Sequence, residues 1–539
     1  MSEAVFLSGL IPAPALCAGH ALCGRCRLRI IAAPDSSIPA PLPADLRRLS
    51  EEEIARGFRL ACRHKAEIGM LLEISVPEHP RQMQTPAPAL GLNAGLRRLP
   101  PLQDSENSMK SANCVLALDL GTTTLHWRLL SPPEEGSAGK GTVLWEGMCG
   151  NPQAGAGSDV ISRLAYAQRP GGAETLRSLI RDTLRDIARQ SRRRALAAGY
   201  AGVGSMCVAG NPVMSALLLG REISGSAHAP EFRSFPGEDG IPGLPPLIIP
   251  PQLSSFVGGD IAAGYASLVL DPATKAPEFP FFLADMGTNG EFLLALTPDS
   301  ALTASVALGP ALEGAGLYSG IEACPGAAAD FLPEFDGLKP LVLTEDFDRP
   351  GATLRRAGPD EILPGMTGTA CLALLHILRR CGSMSREGFF TAEAGGPLGR
   401  FFIPQRGADG ECFITLGYGM RLYASDVESV LKVKAAFSLG MQRLLAAAVL
   451  NFSDLSALYL AGSLGRHVRT DVLEGLGFIP PGTGERLRVP GNTSLAGAEL
   501  LLRRPATLEE LRRRAAGMRY LDPASDSGFA DAFAASMYF

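Results

Sequence analysis

At 539 residues the chain is too long for one core, so roughly two to four domains are expected. Its 46% hydrophobic and 19% charged residues describe a globular chain, and a formal net charge of −5 excludes a nucleic-acid partner bound by phosphate neutralisation. No stretch has the apolar length of a membrane span, and Met1-Ser-Glu-Ala lacks a basic-then-apolar leader, so a cytoplasmic protein with no membrane partner is expected.

Chemistry begins in the first 80 residues. Cys17-Ala-Gly-His-Ala-Leu-Cys23-Gly-Arg-Cys26 puts three thiols in one loop, and Arg59-Leu-Ala-Cys62 supplies a fourth from a distant turn. A 2Fe–2S cluster fits this spacing, since a loop wraps one side and a single thiolate closes the other. Gly19 and Gly24 relieve crowding in that wrap. The five-residue first spacer looks like the adrenodoxin-type variant. A zinc site competes with only one Cys-x-x-Cys knuckle, and a disulfide framework fits poorly without a leader. Around the loop, Arg27-Leu-Arg-Ile-Ile reads as a strand, Ser50 caps a helix rich in acids in its first turn, and Leu71 to Val76 alternates as a closing strand. Basic and acidic side chains balance at nine each up to Pro80. His20 and His64 lie near the cysteines as neighbours rather than ligands. The other seven cysteines (Cys114, Cys149, Cys207, Cys324, Cys371, Cys381, Cys412) have no ligand spacing and read as small buried hydrophobes.

From Arg81 to Ala112 a Pro-, Ala- and Gly-rich tether follows. Then Val115-Leu-Ala-Leu-Asp119-Leu-Gly121-Thr122-Thr123-Thr124 reads as an apolar strand tipped by an acid and a hydroxyl-rich turn. Gly121 permits close approach to an anion, the turn donates hydrogen bonds, and Asp119 is placed to hold Mg²⁺ against phosphates. Asp-x-Gly-Thr also occurs in ordinary strand–turn connections. Glu174 to Gln190 has helical spacing and Val203 to Ala209 reads as a strand. Phe256-Val-Gly258-Gly259-Asp260 enters a helix, with Asp260 placed to orient a hydrolytic water or to cap the helix.

The design then repeats. Phe281-Phe-Leu-Ala-Asp285-Met-Gly287-Thr288-Asn289-Gly290-Glu291 is again strand, acid, Gly-Thr, and Leu458-Tyr-Leu-Ala461-Gly462-Ser463-Leu464-Gly465 is a third glycine loop after an apolar strand. This trio, in this order, resembles the superfamily of acetate and sugar kinases, heat-shock chaperones and actin. There the first two loops clamp the phosphates and the third lies beside the adenosine. Between them, Ser305 to Gly316 is a glycine- and proline-rich loop suited to a ligand or partner. Gly368 starts a helix with His376 as a packing residue. The Asp426–Leu450 helix carries Lys432 and Lys434, either reaching the nucleotide or lying on the helix surface. Arginines around Arg504 and Arg513 read as a solvated helix face.

The whole combination looks like the reductive activators of corrinoid proteins. The resemblance rests on the cysteine and phosphate-loop motifs together with Asn151-Pro-Gln153, Asp159-Val-Ile-Ser-Arg163, Gly210-Asn211-Pro212-Val-Met214, Gly309-Pro310-Ala-Leu-Glu313-Gly314 and Gly491-Asn-Thr-Ser-Leu. It implies a multidomain α/β and α+β chain: residues 1–80 a β-grasp 2Fe–2S ferredoxin-like domain, 81–112 a flexible linker, 113–270 and 271–504 the halves of a duplicated actin-like (ribonuclease H-like) ATPase domain, and 505–539 a helical C-terminal extension. The implied activity is ATP-dependent reduction of cob(II)amide to cob(I)amide on a partner corrinoid methyltransferase protein, fed by an upstream electron donor, with a homodimer left open. Cys17, Cys23, Cys26 and Cys62 would carry the electron. Asp119, Gly121, Thr122, Thr123, Thr124, Asp285, Gly287, Thr288, Asn289 and Gly290 would hold Mg²⁺ and phosphates, and Gly462, Ser463 and Gly465 the adenosine. Members of that family carry a further domain between tether and ATPase, which Arg81 to Ala112 is too short to hold. Their hydroxyl-rich, corrinoid-facing loop is reduced here to Ser305 followed by Val306.

Cobalt(I) is a strong reductant, so an electron from a 2Fe–2S cluster moves uphill unless nucleotide changes the relative affinity for the two cobalt states. Three other functions fit parts of the chain: an ATP-coupled electron donor to another low-potential enzyme, a redox- and nucleotide-sensing regulator, and a small-molecule kinase, which leaves the cysteine domain without a purpose.

Overall fold

The computed structural model describes residues 1–8, 21, 26–34, 38–73, 112–133, 141–157, 159–221, 240–314, 316–321, 323–335, 337–344, 354–391, 398–407, 410–462, 468–525 and 528–539. Cys17, Cys23, His20, Gly19, Gly24, Ser463, Gly465 and nearly all of the tether lie outside these residues.

The first domain contains α1 (Ser2–Ser8), β1 (Arg27–Ala32), α2 (Pro43–Arg48), α3 (Glu51–Ala55), β2 (Phe58–Leu60) and β3 (Leu71–Glu73), with the strands in antiparallel order β2-β1-β3. Cys26, Leu28, Ile30, Leu49, Phe58 and Leu60 form a core of their own. As expected, Ser50 starts α3: its hydroxyl accepts from Glu53 N and the Glu53 carboxylate accepts from Ser50 N. Buried Asp45 ties α2 to the turn bearing Cys62, accepting from Leu60 N at 2.8 Å and lying 2.7 Å from His64 Nε2.

The first half of the large domain, lobe I, runs through β4 (Cys114–Leu120), β5 (Thr124–Leu130), β6 (Val143–Gly150), α4 (Val160–Ala167), α5 (Gly172–Ala197), β7 (Val203–Gly210), α6 (Pro212–Leu219), β8 (Leu247–Ile248) and α7 (Gly259–Val269). The sheet order is β6-β5-β4-β7-β8, with β4–β5 and β5–β6 antiparallel and β4–β7 and β7–β8 parallel. Strand β4 lies in the middle, covered on both faces, which explains its nearly unbroken apolar run. Helix α5 covers one face with Leu176, Ile180, Leu184 and Ile187, buried at the three- and four-residue spacing of one helix side.

Lobe II opens with β9 (Phe281–Met286), β10 (Asn289–Thr297) and β11 (Ser300–Ala307), then a single 3₁₀ turn at Pro310–Glu313. It continues through β12 (Ala328–Glu334), β13 (Gly337–Leu343), β14 (Leu354–Arg356), α8 (Gly368–Arg380), β15 (Gln405–Arg406), β16 (Cys412–Gly417), β17 (Met420–Tyr423) and α9 (Ala424–Ala447). Last come β18 (Ala457–Ala461), α10 (Thr470–Gly475), β19 (Leu487–Gly491), α11 (Thr493–Arg503), α12 (Pro505–Ala515), β20 (Met518–Tyr520) and α13 (Phe529–Ala535). Its main sheet is ordered β19-β18-β9-β10-β11-β20, with β12–β14 and β15–β17 as separate small sheets. Read from the edge, β11-β10-β9-β18-β19 repeats the order of lobe I, third-second-first-fourth-fifth, with the same parallel and antiparallel pairings. The repeat suggested by two Asp-x-Gly-Thr stretches is a repeat of topology.

One element differs from the sequence reading. The segment after Pro505 is not purely helical: Met518–Tyr520 runs parallel to β11 and becomes the edge strand of the lobe II sheet. Three residues between arginine-rich turns are too few to show alternation.

Helix α11, late in the sequence, packs on α7 and on β4 and β7 of lobe I. The shared core takes Ala117, Ala209 and Ile261 from lobe I and Phe281, Leu283 and Leu501 from lobe II. The crossing is close because Gly497 is a glycine: a Cβ there would stand 1.9 Å from the Ala263 carbonyl oxygen. Among the described residues no helix is long and apolar enough to cross a membrane.

Candidate functional site

Both Asp-x-Gly-Thr turns lie at the tips of the first strands of their lobes, and they touch. Thr123 Oγ1, after β4, is 3.0 Å from Thr288 Oγ1, after β9, and the Thr288 hydroxyl also donates to Glu313 Oε1 at 3.0 Å. The third loop joins them at Gly462 (φ +88°), where a Cβ would lie 2.6 Å from Asp285 Oδ1. Only glycine permits that approach. Three of the sequence-predicted loops thus converge where the two sheets meet.

Each loop is fixed by side chains from elsewhere in the chain. Asn151 Nδ2 donates to the Gly121 carbonyl at 2.8 Å and Asn151 N to the Thr123 carbonyl at 2.7 Å. Asn211, which caps α6, donates through Nδ2 to Thr122 Oγ1 at 3.0 Å. Buried Arg163, one turn into α4, donates to the Thr122 carbonyl and, through Nε, to the Gly157 carbonyl at 2.9 Å. Burial lowers its pKa to about 9, while Asp159 and Glu313 act to raise it. Gly121 also needs to be glycine, since a Cβ would stand 2.5 Å from the Thr124 carbonyl. In the second loop the Thr288 carbonyl accepts from Gly309 N at 2.9 Å.

Asp119 is held by α11: Asn492 Nδ2 donates to Oδ2 and Ser494 Oγ to Oδ1, both at 2.8 Å. His126, its cross-strand neighbour on β5, places Nδ1 3.7 Å from Oδ2. Close by are Asp260, Asp285 and the buried Glu291. Asp285 is pushed up to about 7, chiefly by withdrawal from water and then by the charges of Asp119, Asp260 and Glu313. Asp260 is pushed up to about 6 by the same withdrawal and by Asp119, against the hydrogen bonds it makes with Ile261 N and the Glu291 carboxyl. Glu291 is raised well above the ordinary carboxyl value by burial, then by Asp260 and Asp285. Such a cluster either keeps protons at neutral pH or exchanges them for a cation.

Asp260 is not the helix cap. Gly258 takes that position, because a Cβ there would lie 2.6 Å from Asn211 Cα, and the acid stands inside the first turn facing Glu291. Ser305 pairs with Glu291 across β10 and β11, one strand further from Asp285. Thr124, Asn289 and Gly290 sit on the strands that leave the loops. Neither lysine of α9 reaches the loops. Lys432 pairs with Glu428 at 2.7 Å on the exposed side, while buried Lys434 donates to the Ser536 carbonyl and lies 4.6 Å above the Tyr538 ring. His376 is buried between α8 and α10, as a packing residue should be.

In the first domain, Ala61 N donates to the Cys26 carbonyl at 2.8 Å, bringing two of the four predicted thiols to adjacent turns. Among the described residues no three His, Cys, Asp or Glu side chains are grouped as a metal site, and the other two thiols lie outside those residues. Of the scattered cysteines, Cys114, Cys149, Cys207, Cys324 and Cys371 are buried, and burial raises the Cys114 thiol to about 11. Cys381 and Cys412 are only partly covered.

The residues that the motifs left without a role are Glu291, Glu313, Arg163, Asn211, Asn492 and Ser494. Each stands in a stretch that carries the family resemblance, and only the folded chain shows what it touches.

Comparison with known proteins agrees. The family description "C-terminal domain of RACo the ASKHA domain" matches residues 280–539, and "RACo middle region" matches residues 114–272. A Co(II) methylated amine-specific corrinoid protein reductase from Methanosarcina barkeri is 27% identical over 422 residues, covering 74% of this chain and 71% of the relative. Corrinoid activation enzyme RamQ of Eubacterium limosum is 26% identical over 406 residues, covering 72% of this chain and 64% of the relative, just under two thirds of its length. A solved reductive activator for corrinoid, iron-sulfur protein superposes with a TM-score of 0.62 at 23% identity over 100% of this chain and 95% of that one, a likeness of fold. The matched middle region is lobe I itself, so the family's middle part, expected to be missing between tether and large domain, is present. With its middle and C-terminal regions both matched, the chain belongs to the RACo family of reductive activators of corrinoid proteins.

Proposed function

We propose that this chain is an ATP-dependent reductive activator that passes one electron to the cob(II)amide of a partner corrinoid protein, regenerating cob(I)amide for methyl transfer. The observation that carries it is the meeting of the two Gly-Thr loops, Thr123 Oγ1 against Thr288 Oγ1 at 3.0 Å, beside Asp285, whose carboxyl is raised by burial and by the charges of Asp119 and Asp260. Acids pushed up by one another are an electrostatic fit for Mg²⁺, and two glycines that exclude a Cβ leave room for phosphate oxygens. In this reading Asn492 and Ser494 aim Asp119, Arg163 and Asn211 shape the first loop, and Asp285 faces the metal position from the second. Asp260 and Glu291 share a proton and lie where a hydrolytic water is received. Gly462 of the third loop belongs to the nucleoside side. A 2Fe–2S cluster on Cys17, Cys23, Cys26 and Cys62 supplies single electrons; the Cys26 and Cys62 turns, tied through Ala61 N, fit a ligand pair. One electron given up by such a cluster would lower the substrate cobalt from +2 to +1, and an upstream donor would return that electron.

The test is anaerobic. Reduced protein, MgATP and a cobalt(II) corrinoid protein are mixed and the cobalt(I) absorbance is followed. It should rise with ATP and stay low without it. Equal rates with and without ATP would reject ATP dependence, and no cobalt(I) under either condition would reject the activity.

A further inference from the structure

Among the described residues, two side chains of the first domain reach the large domain, one on each lobe. Phe6 of α1 is buried in the lobe I core, its ring 6.1 Å from that of Tyr166 and edge-on to it. Arg48, the last residue of α2, stands 5.4 Å from the centre of the Tyr318 ring in lobe II. Beneath Arg48 lies buried Asp426, which accepts from Tyr318 N at 2.8 Å and whose carboxyl is drawn down by the Arg48 charge against the larger effect of burial.

Each anchor is linked by a short path to one phosphate loop. On lobe I, Tyr166 follows Arg163 by less than a turn of α4, and Arg163 holds the Thr122 carbonyl. On lobe II, Tyr318 follows Glu313 in the loop leaving the 3₁₀ turn, and Glu313 holds the Thr288 hydroxyl. Helix α1 in turn is joined to the cysteine turn, since Ser2 N donates to the Ala61 carbonyl at 3.1 Å. A domain fastened to both lobes resists a change in their separation. Thr123 and Thr288 now occupy each other's hydrogen-bonding positions at 3.0 Å. A phosphate oxygen taken by both hydroxyls would set them about 5 Å apart, and the anchors cannot both follow without strain.

We propose that the first domain docks across the two lobes of the large domain through Phe6 and Arg48, and that a nucleoside triphosphate entering between the phosphate loops releases it. The cysteine domain is then parked while the cleft is empty and undocked when the cleft fills. Release deepens the proposed function, because it rests on ATP being the ligand; docking does not.

The full chain carrying Tyr318→p-benzoylphenylalanine is irradiated with and without a non-hydrolysable ATP analogue and Mg²⁺, and the captured peptide is sequenced. Without nucleotide, the expected adduct joins residue 318 to the peptide around Arg48. At saturation its yield should fall about two- to five-fold, the worth of one cation–π contact. Adding Arg48→Glu, a change at a half-buried position whose folding is checked by circular dichroism, should lower the nucleotide-free yield similarly. No adduct to the first domain, or the same yield with Arg48→Glu, overturns docking. Nucleotide binding is read separately by calorimetry. An unchanged yield with nucleotide bound overturns release and leaves the functional reading standing, whereas no binding overturns release and the ATP dependence together.

Discussion

At the scale of single residues, the site is dominated by carboxyls that resist ionisation. Asp285 and Asp260, raised to about 7 and about 6, bind protons in the folded chain that they release when unfolded, where their pKa is near 4. The folded state therefore holds the extra protons, and nucleotide-free stability should fall as pH rises from about 4 through 7. Asp285→Asn should flatten that slope and raise the melting temperature at pH 8, a gain on the order of 1–2 kcal/mol once partial exposure is discounted. A melting curve series at fixed salt reads it, and an unchanged slope would contradict it. Arg163 is the opposite case, a buried cation bonded to carbonyls with no carboxylate at hydrogen-bond distance in the described geometry. Arg163→Met removes donors from the Thr122 and Gly157 carbonyls and should cost about 1–3 kcal/mol in urea unfolding and weaken ATP binding. Arg163→Lys should recover only part of this, because an ammonium cannot span both carbonyls as the planar fork does.

At the scale of elements, the crossing of α7 and α11 does two jobs. It joins the lobes and presents Asn492 and Ser494 to Asp119. Gly497→Ala forces a methyl against the Ala263 carbonyl, so a loss of about 1–3 kcal/mol in stability is expected. Since α11 must shift, ATP affinity should fall too, and calorimetry on the folded variant separates the two effects. Much of this level was legible in sequence. Strand β4, strand β7, helix α5 and the cap at Ser50 follow from apolar spacing and capping chemistry. Asp119 and Asp285 were visible because an acid before Gly-Thr at a strand tip is rare enough to notice. Glu291 was not, because a glutamate two residues into a strand looks like any outward-facing polar residue until β9 is laid beside it. Asn492 and Ser494 looked only like a helix start, since sequence spacing carries no sign of a partner hundreds of residues earlier. Strand β20 was missed because it borrows its order from β11.

At the scale of the molecule, the first domain has its own core, and Phe6 of α1 is its residue in the lobe I core among the described residues. Loss of the proposed cluster should leave the proposed nucleotide response largely intact. Cys62→Ser is expected to bleach the visible spectrum of the reconstituted protein while MgATP still raises the melting temperature of the large domain. At a hundred-fold excess over its dissociation constant, the ligand stabilises by about 2.7 kcal/mol. If bleaching and loss of the ATP-dependent shift occurred together, the two units would be one cooperative body.

The bond between Asn492 and Asp119 joins residues 373 positions apart. During synthesis, then, the acid at the end of β4 leaves the ribosome long before the helix that steadies it exists. A nascent chain stopped anywhere short of α11 carries one unsupported half of the proposed nucleotide clamp, and its ability to retain ATP should switch on only once α11 emerges.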